Sequence, residues 1–208
     1  MKTISKTLGA VALAAITFGA NAATVTFSNL ADGNGAPSFF DIGTTTISGN
    51  QITIGINNFK ADGASQVTVS ALDTFSFTVT APTGFKITKI TYTESGKGET
   101  TNGFAAATGS ITADGTPKNF LTQLFIPNTS ESDWSITGSV DVANKDSIAV
   151  SIVNSLFAAA FLPTDLAYVE KTGASISVDI APVPVPPAVW MLGSAIVGLA
   201  TVGRRKSA

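Results

Sequence analysis

The feature that most constrains this chain is a two-residue alternation of apolar with hydroxyl side chains, repeated in short runs over most of its length. Val25 and Phe27 share one face, as do Ile52, Ile54 and Ile56. Val67, Val69 and Ala71 lead into Phe75, Phe77 and Val79; Trp134, Ile136, Val140 and Val142 follow, then Ile148, Val150 and Ile152, and finally Ala174, Ile176, Val178 and Ile180. A period of two puts alternate side chains on opposite faces of an extended strand and predicts half-buried strands. Val, Ile, Phe and Thr are also the residues that fit a pleated surface. Phe85 and Ile87 fall on one face but Ile90 and Tyr92 on the other, so a bulge near Thr88-Lys89 is expected.

Turn signals punctuate the runs. Ala-Asp-Gly occurs at Ala31-Asp32-Gly33, Ala61-Asp62-Gly63 and Ala113-Asp114-Gly115, and Asp-Gly tolerates the positive φ of tight turns. The stretch Leu156 to Leu162 reads either as a buried strand or as a short helical turn capped by Asn154 or Ser155. Nine or ten closely spaced strands without a long amphipathic helix predict a single antiparallel β-sandwich, jelly-roll-like.

The chain has no Cys and no His. Disulfides, thiolate nucleophiles, imidazole bases and zinc held by His or Cys are therefore excluded. All fourteen acids lie between Asp32 and Asp179, whereas five of the twelve basic residues, including every Arg, sit at the two ends. The body carries seven Lys against fourteen acids, net −7. An acidic, Arg-free body is a poor match to phosphate backbones, so nucleic acid is excluded as a partner.

The ends read as targeting segments. Lys2 and Lys6 precede the short apolar stretch Leu8 to Gly19, and Ala20-Asn21-Ala22 places small residues where signal peptidase reads. Residues 1–22 are thus expected to be a signal peptide cut before Ala23, the competing reading being a short buried helix. At the other end, residues 181–187 are Pro-rich, 188–203 carry no charge, and 204–208 hold Arg204, Arg205 and Lys206. Sixteen helical residues reach about 24 Å, short of the roughly 30 Å hydrocarbon core. Such a span inserts only if the bilayer thins or flanking residues snorkel. Trp190 favours the outer interface and the basic cluster the cytoplasm. The body, residues 23–180, is then flanked by a signal helix and a transmembrane helix.

The run Val183-Pro184-Val185-Pro186-Pro187-Ala188-Val189-Trp190-Met191-Leu192-Gly193-Ser194, followed by the apolar span and Arg204-Arg205-Lys206, resembles the PEP-CTERM sorting signal of Gram-negative bacteria in its VPxPxxxWLxGS variant. Val185 stands where the name-giving form has Glu. The resemblance covers Val183 to Lys206. It implies recognition by an exosortase, cleavage near the Pro motif, and release of the body to the surface or into exopolysaccharide; spacing by itself implies only a membrane anchor.

Chemistry in the body is less marked. Glu94, Glu99, Glu131, Asp133 and Asp165 are candidate carboxylates in or beside expected loops, but no motif selects a glycosidase pair. Asp32, Asn34 and Asp41, or Glu131 and Asp133, would offer oxygens to calcium, or simply make turns. Trp134 and Tyr92 are in phase with apolar neighbours and are expected in the core, leaving Tyr168. Phe39 and Phe40 must point two ways if extended, so one is expected to be exposed or to cover a sheet edge. The reading is a non-enzymatic surface or matrix protein without a cofactor, with signal peptidase, an exosortase, the membrane and extracellular polysaccharide as partners. A carbohydrate-binding or adhesive module is the alternative, and a carboxylate glycosidase the third. If the signal is cut as read, Edman or mass analysis of the exported protein finds Ala23 at its N-terminus; a retained Met1 contradicts it.

Overall fold

Alternation is realised as strands in nearly every run named above. The computed structural model describes residues 23–33, 38–64, 68–120 and 122–184. These form β1 (Thr26–Asp32), β2 (Phe40–Ser48), β3 (Gln51–Ile56), β4 (Lys60–Asp62), β5 (Thr68–Thr80), β6 (Phe85–Thr100), β7 (Gly103–Ala113), β8 (Thr116–Asn119), β9 (Gln123–Phe125), β10 (Thr129–Lys145), β11 (Ser147–Ala160) and β12 (Ala167–Pro182). Twelve strands among the described residues exceed the nine or ten expected. The surplus lies in β4, β8 and β9, which have three or four residues each, too few to display a period.

Two antiparallel sheets pack face to face. The first runs β1-β5-β11-β7-β8 with β9 beside β7, and the second β10-β6-β12-β3-β2 with β4 beside β12. The long strands β5, β6 and β7, and then β10, β11 and β12, pass alternately between sheets, which makes the sandwich jelly-roll-like. Among the described residues there is no helix, and so none long and apolar enough to cross a membrane. The expected flanking helices lie outside the described residues.

The core is the layer between the sheets. Phe75, Phe77, Ile111, Val150, Ile152 and Leu156 come from the first, and Ile52, Ile87, Ile90, Tyr92, Ile176 and Val178 from the second. The outward positions carry many of the Thr and Ser side chains. Residues paired across β11 show the register: Ile152 lies beside Phe75 on one side and Ile111 on the other. All three face inward and are fully buried.

Irregularities set the phase. In β6, Lys89 pairs with Asp179 but Ile87 with Ile180, so Thr88 is the extra residue of a bulge. This returns Ile87 to the face of Ile90 and Tyr92, as the phase break required. A second shift, between Lys171 and Gly173 of β12, was not foreseen, and it turns Lys171 to the same inner face as Ala174.

Of the two readings open for Leu156 to Leu162, the strand holds as far as Ala160, with Asn154 and Ser155 inside β11, and Phe161 and Leu162 leave the sheet. Of the three Ala-Asp-Gly sites, only Asp114-Gly115 makes a two-residue hairpin, with φ of 51° and 74°. Asp32 and Asp62 end β1 and β4 instead. Of the Phe39-Phe40 pair, Phe39 is half-buried and stacks on Phe59 at 4.7 Å, while Phe40 is buried edge-on to the same ring.

Ile176→Ala, in the centre of the second sheet, should cost about 2–5 kcal/mol. Gly115→Ala, at positive φ on the open hairpin, should cost only about 1 kcal/mol. Urea unfolding midpoints check the order of the two.

Candidate functional site

Strand phase brings four polar side chains into the apolar interior. Along β6, Tyr92 and Glu94 take successive inward positions, both buried. Along β11, Asn154 falls between the inward Ile152 and Leu156 and pairs with Asp73 of β5 on one side and Gly109 of β7 on the other. Lys171 enters from β12 through the shift beside Gly173. Glu94, Tyr92 and Lys171 thus come from one sheet and Asn154 from the other.

The four meet at Lys171 Nζ. It contacts Glu94 Oε2 and Asn154 Oδ1 and lies 3.1 Å from Tyr92 Oη. Tyr92 Oη is 3.1 Å from Glu94 Oε2 and 3.2 Å from Asn154 Oδ1, and shares its one hydrogen between them. Aromatic rings wall the cluster: Nζ is 5.0 Å from the centre of Phe59 and 5.5 Å from that of Phe40, and Phe120 tilts against Tyr92 at 5.5 Å. Gly109 leaves the room required. A Cβ there would stand 3.0 Å from Phe120, 3.1 Å from Asn154 Oδ1 and 3.2 Å from Glu94 Oε1.

The cluster is dry. The Lys171 and Glu94 side chains are 0% and 1% exposed. Burial pushes the Lys171 ammonium down to about 8, against the opposing pull of Glu94 and, further off, Asp73. Burial, then the Glu94 charge, raises Tyr92 well above the usual phenol value. Two buried polar atoms of the cluster have no hydrogen-bond partner, Glu94 Oε1 and Asn154 Nδ2. Each such orphan costs about 1–3 kcal/mol.

Asp73 flanks the cluster from β5. Its carboxylate accepts the Phe39, Phe40 and Thr74 backbone N–H groups at 2.7, 3.0 and 2.7 Å. Burial first, and the neighbouring Asp32 carboxyl second, nevertheless raise its pKa.

The other sequence candidates are dispersed. Glu94 is a core residue and not a loop carboxylate. Glu131 lies on the outer surface of β10, where it takes the Tyr168 hydroxyl at 2.6 Å and Lys97 Nζ at 3.2 Å. Those contacts, the hydroxyl first, lower Glu131, while burial and Glu131 raise Tyr168. Glu99 is half-buried on β6, Asp133 is exposed on β10, and Asp165 accepts the Leu162 N–H of its own turn at 2.6 Å. Asp41 accepts the Gly43 N–H at 2.8 Å, Asp32 accepts the Ser38 hydroxyl, and Asn34 lies outside the described residues. Among the described residues no three acids are grouped to hold a metal ion. Trp134 is buried over Gly96 and donates its indole N–H to Lys97 O at 3.2 Å.

Of the targeting residues, Ala23 precedes β1, and Val183 donates its N–H to Gly84 O at 2.8 Å just before Pro184. Ala20, Ala22, Val185, Pro186, Pro187, Trp190, Arg204, Arg205 and Lys206 lie outside the described residues.

No protein-family model and no curated protein matches the chain. Among solved structures it is similar to the crystal structure of murine APRIL at pH 5.0, with 11% identity and a TM-score of 0.25, over 55% of this chain and 99% of that one. A likeness at that level carries no argument about ligand or role.

Because Asp73 is raised, the folded chain holds more protons than the unfolded one from the ordinary carboxylate range up to Asp73's folded value. Its contribution to stability is therefore present at low pH and falls as pH rises through that window. Asp32→Asn removes one cause of the shift. Relative to the unsubstituted protein, the variant should gain stability as pH rises above the ordinary carboxylate range, about 4, measured by denaturant midpoints; a difference flat with pH would contradict the coupling.

Proposed function

We propose that this chain is exported by its N-terminal segment, sorted by its C-terminal tail, and serves as a non-enzymatic sandwich domain at the cell surface or within the exopolysaccharide matrix. The observation that carries this reading is the succession of segments in the tail's sequence: a Pro-rich run, an uncharged stretch too short for a comfortable permanent span, and a closing basic cluster. The described body supports it in two ways. Its last strand, β12, lies inside the second sheet and hands the chain directly to that Pro-rich run at Val183. Three of the five candidate carboxylates are engaged elsewhere, Glu94 by Lys171, Glu131 by Lys97 and Tyr168, and Asp165 by its own turn.

A second reading, an adhesive or carbohydrate-binding module, is favoured by one specific observation. Phe104 and Phe157 are half-buried at diagonal positions of the neighbouring strands β7 and β11, their rings 5.9 Å apart, near the exposed Leu124 of β9. Aromatic rings are the surfaces on which sugar faces stack.

Two measurements separate these readings. In cells carrying an exosortase, replacing Val183 to Pro187 by Gly and Ser should leave the body uncleaved in the membrane fraction, and normal release would sink the sorting proposal. Glycan-array binding that disappears in a Phe104→Ser, Phe157→Ser variant would establish the second reading; binding unaffected by that variant would reject this face as the site.

A further inference from the structure

We propose that Lys171 Nζ and Asn154 Cγ become joined by an intramolecular isopeptide bond, formed by the folded chain itself with Glu94 as the proton carrier. The proposal concerns the body and does not depend on how the chain is sorted.

Four observations carry it. First, an amine touches a carboxamide, with a carboxyl group in contact with the same amine and a phenol within hydrogen-bond reach of both acceptors. Such positioning replaces an improbable encounter by an intramolecular one, worth effective molarities of roughly 10⁵–10⁸ M where the geometry is good. Second, the amine is shut off from bulk solvent, its side chain being 0% exposed: with Lys171 at about 8, roughly one molecule in ten carries the free amine at pH 7. Third, the amide nitrogen that would leave, Asn154 Nδ2, is buried without a hydrogen-bond partner, as is the second Glu94 oxygen, Oε1. Departure of Nδ2 removes one orphan. Fourth, Gly109 keeps the space next to Asn154 and Glu94 clear of side chain. On its strand this glycine borders an open surface groove of about 370 Å³ lined also by Phe120, Ser110 and Asn119, towards which ammonia can leave.

The reaction balances without an outside reagent. Lys171 passes a proton to Glu94 and becomes the neutral amine. The Nζ lone pair attacks Asn154 Cγ, and the carbonyl π electrons move onto Oδ1, towards which the Tyr92 hydroxyl hydrogen is directed. Nζ gives up a second proton, which reaches Nδ2 by way of Glu94. The Cγ–Nδ2 bond breaks, the carbonyl re-forms, and Nδ2 departs as ammonia. One secondary amide and one ammonia replace the amine and the primary amide, and Glu94 retains the proton it first received. A buried ion pair is exchanged for neutral groups, with Glu94, now an acid, able to donate to the new amide oxygen. The charged groups that face Lys171 are Glu94 from β6 and Asp73 from β5, the latter next to Asp32; Tyr92, Phe40 and Phe59 supply the uncharged walls.

The test is the intact mass of the purified, folded full chain, followed by peptide mapping. The expected mass is below that of the sequence, after any terminal trimming, by one ammonia, about 17 Da. Digestion should yield a branched peptide joining Asn154 to Lys171, with no tryptic cut after Lys171. Glu94→Gln, which keeps shape but cannot carry the proton, should slow formation by roughly 10²–10⁴, and Lys171→Met should abolish it; both then run at unreduced mass. Should either variant fail to fold, the mass of the unsubstituted chain still decides. Unreduced mass in that folded chain overturns the proposal. So does an ammonia loss mapped to a cyclised Asn elsewhere, or a loss of water joining Lys171 to Glu94 or Asp73.

Discussion

The interior of this sandwich is organised around one buried cation. Lys171 is fully enclosed between two sheets, and placing an ammonium there costs several kcal/mol before any partner is found. Its surroundings follow from that cost. The bulge beside Gly173 points the side chain inward, Glu94 and Tyr92 meet it from the neighbouring strand, Asn154 meets it from the opposite sheet, and Phe40 and Phe59 present ring faces to it. Asp73 adds a second buried acid, offset by three backbone N–H groups. As a non-covalent arrangement this is a poor use of a core. A buried ion pair is often no better than well-packed hydrocarbon of the same volume, and here two polar atoms remain unsatisfied as well. Covalent joining removes that cost and leaves a strut between the sheets in a chain that has no Cys to make one.

How much of this was legible in the sequence depends on whether the information was local. Period-two runs located most of the long strands, and the phase break at Thr88 located a real bulge. Tyr92 and Trp134 were placed in the core by their phase alone. The same rule, applied strictly, places Glu94 beside Tyr92 and Asn154 between Ile152 and Leu156 on inward faces. Reading Glu94 as a carboxylate in or beside a loop, and leaving a cap at Asn154 open beside the strand, let residue type override position. Lys171 is different. The shift between it and Gly173 reverses the phase of β12, so alternation counted back from Ala174, Ile176 and Val178 puts Lys171 on the outside. No local signal corrects that, and the meeting of β6, β11 and β12 across two sheets is a property of the topology. The short strands β4, β8 and β9 were invisible for a simpler reason, since three or four residues do not establish a period.

The surface follows a different logic from the core. The outward-facing Thr and Ser side chains need no partner but water, and the ion pairs there, such as Lys86 with Asp146 and Lys97 with Glu131, leave both members partly or largely exposed. Such pairs contribute little to stability and are weakened by salt. The net negative body therefore relies on its interior for cohesion, and the interior in turn relies on the contacts across the sheets.

That reliance matters most at the C-terminal end. β12 is held by β6 along almost its whole length and by β3 and β4 on its other edge, and it is the strand from which the tail departs. Load applied through the tail enters at Pro182 and strips pairs in order towards Ala167. Hydrogen bonds broken one after another from a strand end resist such peeling weakly, because each carries the load alone. Lys171 sits near the far end of that sequence, and its partner Asn154 belongs to β11, in the other sheet, which load on β12 does not strip directly. A bond between them stops the peeling before β12 is lost, and transfers the load to a strand held on both sides by β5 and β7. The position of the cluster on the strand that leads to the tail therefore joins the two otherwise separate features of the chain, its buried lysine and its proposed sorting end, in one mechanical arrangement.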